Sequence, residues 1–427
     1  MLTTVFLVLG IFLFCLVCSV PVFVAMAAAA GLGSFMLGET DIFMKAAQTT
    51  YSALNSFVLL AVPLYILAGT LLQQTGLSDR LFSFAASITA GMRGGLGVAT
   101  VVACAVFAAI SGSSVATAAT IGLVALPVLE KNGYLRHRSG ALIAGGGTLG
   151  ILIPPSIGLL LYGVLTDQSI GALFVAGLFP GLAVAVLMAI YIVVTNPRDS
   201  QARPFSWADL SQTGLKALPV LALPVLIFVG IYGGYATATE VAALAVGYII
   251  LVGLALRKLG LKELVSAGTM ATHASVMILM LVAFGALLTH FLTVTRVPQM
   301  VTELIANSGI GFFGVVSLMI LIFVVLGMFL ESLSMMLIMV PILFPVAYTA
   351  GIPPIAFGIF VVLAVEVAQI TPPVGINLFT VAQIGKIRFE KLIHSIVPYV
   401  IILILMMYTV AYVPQLATWL PSTMEYR

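Results

Sequence analysis

Two pairs of adjacent prolines interrupt long apolar stretches, at 154–155 and at 372–373. Proline has no amide hydrogen and disrupts a helix, so each pair leaves carbonyl oxygens of the preceding turn without hydrogen-bond partners. Such oxygens, held away from water, are suitable ligands for a hard cation such as sodium. Beside the second pair, Thr371 adds a hydroxyl and Asn377 adds an amide side chain. Two breaks of this kind predict cation binding, whereas one pair alone would be explained by a simple kink.

A second polar segment, Ser111-Gly112-Ser113-Ser114, lies in the middle of the apolar stretch 95–130. Its hydroxyls, and the N-terminal end of the helix that restarts there, suit a carboxylate. Small residues in apolar helices also serve close helix packing, which is the alternative explanation for these serines.

Glu331 and Glu366 are carboxyl groups inside apolar stretches, where ionisable residues are costly and usually functional. Either residue could balance a cation or carry a proton, and Glu366 could equally be a hydrogen-bonded structural carboxyl. The chain has no G-x-x-x-x-G-K-[ST], H-E-x-x-H or G-x-S-x-G motif. ATP hydrolysis by this chain and the common hydrolase sites are therefore disfavoured, and a membrane-embedded enzyme or scaffold is a minor alternative.

The elements that position these residues must be membrane helices. Of the 427 residues, 62% are hydrophobic and 7% are charged, and the mean hydropathy is +1.24. Soluble domains carry about 25% charged residues. The pattern predicts an all-α polytopic membrane protein that does not bind nucleic acid, because the 17 basic residues are scattered between apolar blocks. These blocks lie at 1–37, 51–73, 95–130, 139–164, 170–195, 217–233, 240–256, 270–293, 310–348, 354–382 and 393–414.

The distribution of Lys and Arg indicates the orientation of the chain. Fourteen of these 17 residues fall in five loops, which the positive-inside rule places in the cytoplasm. Both loops that flank 95–130 are then cytoplasmic, and this block is slightly short for two crossings of a bilayer about 30 Å thick. We expect a re-entrant helical hairpin with its polar tip inside the membrane, although two short spans remain possible.

Shifting the chain by 218 residues superposes Pro127 on Pro345, Gly133 on Gly351 and the first proline pair on the second. The basic loop 131–138 then falls on the uncharged segment 349–356, so the two copies have opposite topology. The register predicts an inverted repeat with two hairpins, 95–130 and 310–348, and two broken helices. Secondary transporters commonly have this architecture and alternate access to a central site by moving one unit against the rest, as in an elevator mechanism.

These features divide the chain into five predicted segments. They are an N-terminal scaffold span (1–50), a first repeat (51–195, with broken helix 139–164), linking scaffold helices (196–268), a second repeat (269–414, with broken helix 354–382) and a C-terminal tail (415–427).

Three segments, Phe107 to Thr117, Gly150 to Ser156 and Gln369 to Asn377, together resemble the large membrane subunit of the tripartite ATP-independent periplasmic (TRAP) transporters. The resemblance implies a sodium-driven importer of organic acids, typically four-carbon dicarboxylates, sialic acid or sugar acids, in the bacterial inner membrane. It also implies a periplasmic substrate-binding protein and a small four-helix membrane subunit on a separate polypeptide. No organic cofactor is expected. A proton-coupled or binding-protein-independent anion carrier of the same superfamily is the alternative.

The resemblance also assigns candidate site residues. Ala368 stands where glycine is common in the family, which matters little if its carbonyl is the ligand. An acidic Glu331 beside an anionic substrate is awkward, so this residue could instead tune the cation. The implied first sodium site comprises Ser111, Ser114, Gly150, Ile153 and Pro155; the second comprises Gly327, Ala368, Thr371 and Val374; and the substrate residues are Ser113, Thr117, Glu331 and Asn377.

Overall fold

The protein is described by a computed structural model that covers residues 2–38, 42–195 and 204–424. Within these ranges all regular structure is helical, with twenty-one α-helices, one 3-10 helix and no strand. Nine helical segments of the described chain are long and apolar enough to cross a membrane. The prediction of an all-α polytopic chain is confirmed.

Most helices of the first half fall in the apolar blocks, but the block 1–37, expected to be one span, holds two helices, and α3 and α5 lie largely or wholly outside the blocks. A 3-10 helix at Phe57–Leu60 leads directly into α4. The helices are α1 (Leu2–Val17), α2 (Val22–Met36), α3 (Ile42–Leu54), α4 (Ala61–Thr75), α5 (Ser78–Ile88), α6 (Gly95–Ser111), α7 (Ser114–Lys131), α8 (Arg136–Gly147), α9 (Leu149–Leu152), α10 (Ile157–Thr166) and α11 (Ile170–Thr195).

The second half contains ten further helices. They are α12 (Trp207–Tyr232), α13 (Ala238–Ala255), α14 (Leu261–Val294), α15 (Val297–Asn307), α16 (Phe312–Gly327), α17 (Ser332–Thr349), α18 (Pro354–Ile370), α19 (Ile376–Gly385), α20 (Phe389–Tyr412) and α21 (Gln415–Ser422). Helices α12 and α14 begin well before the predicted blocks 217–233 and 270–293, because they continue from the apolar run into polar N-terminal ends.

One group of helices packs around the long helix α14, which contacts α2, α3 and α4. Helix α4 also packs against α13, and two hydrogen bonds fix these contacts. The Tyr65 hydroxyl donates to the Ala238 carbonyl over 2.9 Å, and the Thr70 hydroxyl donates to the Ala267 carbonyl over 3.2 Å. These bonds join segments of the chain that lie far apart in sequence.

A second group contains the two helical hairpins and the two broken helices. We call α6 and α7 the first hairpin and α16 and α17 the second hairpin. Helix α7 packs against α8 and also against α19, while α17 packs against α18 and also against α10. The second part of each broken helix therefore packs against the hairpin from the other half of the chain.

The helix bounds of the two halves follow the 218-residue register. Helices α7 and α17 begin and end 218 residues apart, and so do α8–α9 taken together and α18. Gly133 and Gly351, which end these hairpins, both have left-handed backbones, with φ of 88° and 90°. Both Pro-Pro bonds are cis. The similarity between the halves thus includes their backbone conformation.

Gly112 determines where the first hairpin turns. Its φ of +60° is left-handed, which ends α6 and suits glycine. A β-carbon at this position would lie 2.8 Å from the Pro155 carbonyl oxygen. Only glycine therefore permits the turn of the first hairpin to rest on the first proline break.

Candidate functional site

The first tip is the turn Gly112–Ser113 together with the first residues of α7, and it packs tightly onto the first broken helix. A β-carbon on Gly150 would lie 2.5 Å from the Ser113 carbonyl oxygen. The Thr117 hydroxyl donates to the same carbonyl over 2.8 Å and lies 3.1 Å from the Ser111 hydroxyl. Several oxygen atoms of the first hairpin thus lie close together where its backbone contacts the break.

Most residues of the implied first sodium site converge at this tip. Ser114 belongs to it and Ser111 directly precedes it, while Gly150 and Pro155 contact it through the close approaches described above. Ile153 is buried on the far side of the break, where its side chain faces Gly181 on α11. Only its backbone is available to a cation at the tip.

Glu366 joins the first tip to the second half of the chain. Its side chain is fully buried in α18, and its Oε1 accepts a hydrogen bond from the Ser114 hydroxyl. Its Oε2 is buried and has no hydrogen-bond partner. Because 252 residues separate Ser114 from Glu366, sequence reasoning selected both residues without pairing them.

The second break encloses a cavity of about 10 Å³, which we call the ion-sized cavity. This volume accommodates about one water-sized particle. Gly327, Ala368 and Val374 of the implied second sodium site line it. Thr371 does not, and its hydroxyl instead donates to the Val367 carbonyl over 2.6 Å. The other lining residues are Leu330, Ser332, Val365, Gln369, Gly375 and Ile376.

The backbone beside this cavity offers carbonyl oxygens. Gly375 has a left-handed φ of +45°, and the carbonyl oxygens of Thr371 and Gln369 lie 3.3 Å and 3.5 Å from where its β-carbon would be. Two freed carbonyls therefore converge at the break. Uncharged oxygen ligands of this kind, at the predicted position, are compatible with sodium.

The two tips face one another across a larger cavity of about 180 Å³, which we call the tip cavity. Ser113 and Glu331 line this cavity, whereas Thr117 and Asn377, also expected to contact substrate, do not. Four α14 residues contribute an apolar wall. The full lining is Gly112, Ser113, Ser114, Val115, Ile151, Ile157, Ala274, Met277, Ile278, Leu281, Glu331, Ser332, Leu333 and Gln369.

The second tip is the turn Met328–Glu331, which precedes α17. Glu331 caps this helix, because its Oε2 accepts hydrogen bonds from the Leu333 amide at 3.2 Å and from the Ser334 amide at 3.4 Å. The equivalent cap of α7 is Ser113, whose hydroxyl accepts from the Ala116 amide at 3.4 Å. The two caps occupy the same place in the 218-residue register, but only one is acidic.

Gln369 is the site residue that sequence reasoning missed. Its side chain is 4% exposed, neither of its amide atoms has a hydrogen-bond partner, and it lines both cavities. Asn377 is also buried with both amide atoms unpartnered, but it lines neither of the two cavities. A polar residue in an apolar run just before Pro372 was the available signal for Gln369.

Two larger cavities of the described chain lie away from the tips. One, of about 550 Å³, is lined by residues of α5 and α12, including Ser87 and Thr213. The other, of about 540 Å³, is lined by residues that include Arg138 and His394. Neither contains any of the predicted cation or substrate residues, so the paired tip and ion-sized cavities are the candidate site.

Comparison with known proteins identifies the family. Residues 9–416 match the family described as "Tripartite ATP-independent periplasmic transporter, DctM component". The C4-dicarboxylate TRAP transporter large permease protein of Vibrio cholerae is 36% identical to the chain over 426 residues, which cover 93% of this chain and 94% of that protein. The chain is a member of the TRAP large permease family. The resemblance inferred from its motifs is confirmed.

As a TRAP large permease, the protein is a multi-pass membrane transporter subunit and not an enzyme. Another relative, the ectoine/5-hydroxyectoine TRAP transporter large permease protein of Ruegeria pomeroyi, is 31% identical, with 94% of each chain covered. The solved structure of the Alcanivorax borkumensis YdaH transporter has a similar fold, with a TM-score of 0.59 and 16% identity over 89% of each chain. The fold of this TRAP permease is therefore that of a membrane transporter.

Proposed function

We propose that this TRAP permease imports an organic acid across the bacterial inner membrane, driven by sodium. In this proposal it acts with a small four-helix membrane subunit and a periplasmic protein that delivers the substrate. The observation that carries the proposal is the shared wall between the tip cavity and the ion-sized cavity. Ser332 and Gln369 line both, so an ion and a substrate would occupy adjoining spaces.

The charges around the first tip support coupling to a cation. A fully buried carboxylate is costly unless a positive charge accompanies it. Glu366 has one oxygen without a partner, and no described ion pair includes it. Sodium held by the oxygens of the first tip would supply the missing positive charge next to Ser114. The bound ion would also favour an acidic substrate nearby.

We further propose that the hairpins and broken helices move together against the helices around α14. The tip cavity lies between these groups, since Met277 and Leu281 of α14 form part of its wall. Their side chains are apolar and offer few directional bonds that would resist sliding. Such a movement would expose the cavity to each side of the membrane in turn.

The substrate belongs to the organic acids in this proposal, with four-carbon dicarboxylates, sialic acid and sugar acids as candidates. Relatives named for C4-dicarboxylates and for ectoine indicate that one fold accommodates several small solutes. A proton-coupled carrier, or one independent of a binding protein, is the second candidate, and the buried Glu366 is the observation that favours proton coupling.

The unfolding temperature of the purified protein in sodium, potassium and choline chloride tests sodium coupling. Native-state binding stabilises a protein by about 2.7 kcal/mol at a hundredfold excess of ligand over its Kd. We expect the unfolding temperature to rise saturably with sodium chloride but not with potassium chloride or choline chloride. Equal effects of the three salts, with the small membrane subunit present, would contradict sodium binding and favour the proton-coupled alternative.

A further inference from the structure

We propose that the tip cavity binds a small zwitterion, with the carboxylate of the substrate at the first tip and its cationic nitrogen at Glu331. This inference rests on the proposed function and narrows the substrate class within it. Its basis is the different charge of two helix ends that face the same cavity, together with an unpartnered amide side chain between them.

The first tip presents hydrogen-bond donors and the N-terminal end of a helix to the cavity, with Glu366 bonded to Ser114 and absent from the cavity lining. The first amides of a helix lack intrahelical acceptors, and the N-terminus carries a partial positive charge. At α7 the neutral Ser113 hydroxyl accepts a hydrogen bond only from the Ala116 amide, at 3.4 Å. Ser114 and Val115, the first two residues of the helix, line the cavity. A carboxylate is the group that this end of the cavity suits.

The second tip has the opposite character. The N-terminus of α17 is already neutralised by the Glu331 carboxylate, whose Oε2 also accepts from the Ser334 hydroxyl at 3.3 Å. Among the described residues, nothing donates to or pairs with its Oε1. Glu331 lines the tip cavity but not the ion-sized cavity. A substrate cation with N–H groups in the tip cavity would satisfy its free oxygen.

The lining of the tip cavity includes one acidic residue and no Lys, Arg or His. Recognition of a carboxylate pair commonly relies on arginine or lysine. A dicarboxylate here would place its second carboxylate against Glu331, with repulsion and no basic partner. A zwitterion of the same length avoids this repulsion and forms a pair with Glu331 instead.

Gln369 provides an independent indication that a polar ligand occupies this space. Its buried amide has both a donor and an acceptor without partners, and leaving such groups unpaired in a buried site is unfavourable. Its NH₂ group would donate to a substrate carboxylate, and its carbonyl oxygen would accept from a substrate N–H group. Ile151 and Met277 supply an apolar surface for a short aliphatic chain between the two charges.

The test compares three four-carbon probes: γ-aminobutyrate (a zwitterion), succinate (a dianion) and butyrate (a monoanion). The full-length protein in detergent with sodium chloride is titrated with each probe, and the unfolding temperature gives an apparent Kd. We expect the Kd for γ-aminobutyrate to be at least about tenfold lower than that for succinate, with butyrate between them. A lower Kd for succinate, or no stabilisation by γ-aminobutyrate, overturns the proposal.

Variants of Glu331 separate charge recognition from helix capping. Glu331→Gln keeps an acceptor for the α17 amides but removes the charge, so we expect γ-aminobutyrate to lose roughly tenfold or more in affinity while succinate gains. Glu331→Asp keeps both charge and cap and should retain the ranking. The matched control is Glu240→Gln, because Glu240 accepts from the Thr237 amide at the exposed start of α13.

The outcomes also distinguish this inference from the proposed function. If sodium stabilises the protein but Glu331→Gln leaves the order of the three probes unchanged, only the zwitterion assignment is wrong. If sodium shows no selective effect with the small subunit present, the proposed coupling is wrong. The ranking of probes on the wild-type protein decides the zwitterion assignment even if Glu331→Gln does not fold.

Discussion

The two hairpin tips lead into helices of the same length but differ in backbone and in chemistry. The first turn, Gly112–Ser113, has a left-handed glycine, whereas the second, Met328–Glu331, is longer and has no left-handed residue. Both precede an 18-residue helix that starts at serine, and the caps of these helices are 218 residues apart. One cap is the hydroxyl of Ser113 and the other is the carboxylate of Glu331. The repeated fold thus gives two 18-residue helices at equivalent positions whose capping side chains differ in charge, and the proposed zwitterion binding depends on this difference.

The close contacts at the two tips also differ, and this difference gives the largest expected effect. A β-carbon at Gly150 would collide with backbone atoms of the first tip, whereas one at Gly327 would collide with the Ala368 methyl. We expect Gly150→Ala to destabilise the protein by about 1–3 kcal/mol and to abolish the sodium response. Gly327→Ala should be restored by adding Ala368→Gly, because the second change removes the opposing methyl.

Unfolding temperatures with and without sodium measure both effects. Gly247→Ala is the control, since nothing lies within 4 Å of the added carbon in α13. A normal sodium response in Gly150→Ala would show that the first tip is not in contact with the ion. Failure of Ala368→Gly to restore Gly327→Ala would contradict the packing described for the second tip.

Removal of the charge on Glu366 should have the next largest effect. Glu366→Gln keeps an acceptor for the Ser114 hydroxyl but removes the buried charge that a cation would balance. We expect the unfolding temperature without sodium to be maintained or raised, while the apparent Kd for sodium rises by roughly tenfold or more. Equal destabilisation with and without sodium would instead indicate a purely structural carboxyl.

Exchanging the chemistry of the caps sharpens the comparison of the tips. Ser113→Asp makes the first tip acidic like the second, and aspartate caps helices as well as serine does. We expect stability without ligand to change by less than about 0.5 kcal/mol, while the affinity for γ-aminobutyrate falls roughly tenfold. Ser206→Asp, at the cap of α12, is the control. Unchanged affinity for γ-aminobutyrate in Ser113→Asp would mean that the substrate carboxylate does not bind at the first tip.

Thr371→Ala should have the smallest effect. The hydroxyl of Thr371 donates to the Val367 carbonyl, and its loss is expected to cost about 0.5–1.5 kcal/mol. Because Thr371 adjoins the ion-sized cavity without lining it, we expect only a several-fold increase in the apparent Kd for sodium. Thr371→Ser should behave as the wild type. A complete loss of the sodium response would mean that the hydroxyl is a direct ligand.

The sequence predicted the helical class, the family and the position of both tips and both breaks. Proline pairs, serine runs and the 218-residue register can be read directly from the sequence. They are also visible in the folded structure because the residues that define them constrain the local backbone. The pairing of Ser114 with Glu366 was beyond reach, since it depends on how two distant segments pack. The same is true of Thr117, whose hydroxyl bonds within its own turn rather than facing the tip cavity.

The sequence shows that an acidic Glu331 beside an anionic substrate is awkward, but not that this residue caps α17. Only the folded turn shows that one oxygen of Glu331 accepts hydrogen bonds from the start of α17, while the other has no partner among the described residues. Gln369 was overlooked for a related reason. A single glutamine in an apolar run has no periodicity or partner motif, and its importance comes from the two spaces it separates.

A wall that belongs to two cavities has a thermodynamic consequence. Ser332 and Gln369 cannot adjust to an occupant on one side without altering the fit on the other. By thermodynamic linkage, if the ion raises the affinity for substrate by some factor, the substrate raises the affinity for the ion by the same factor. Under the proposed sodium coupling, the ion would therefore be held more tightly when substrate is present than when it is absent.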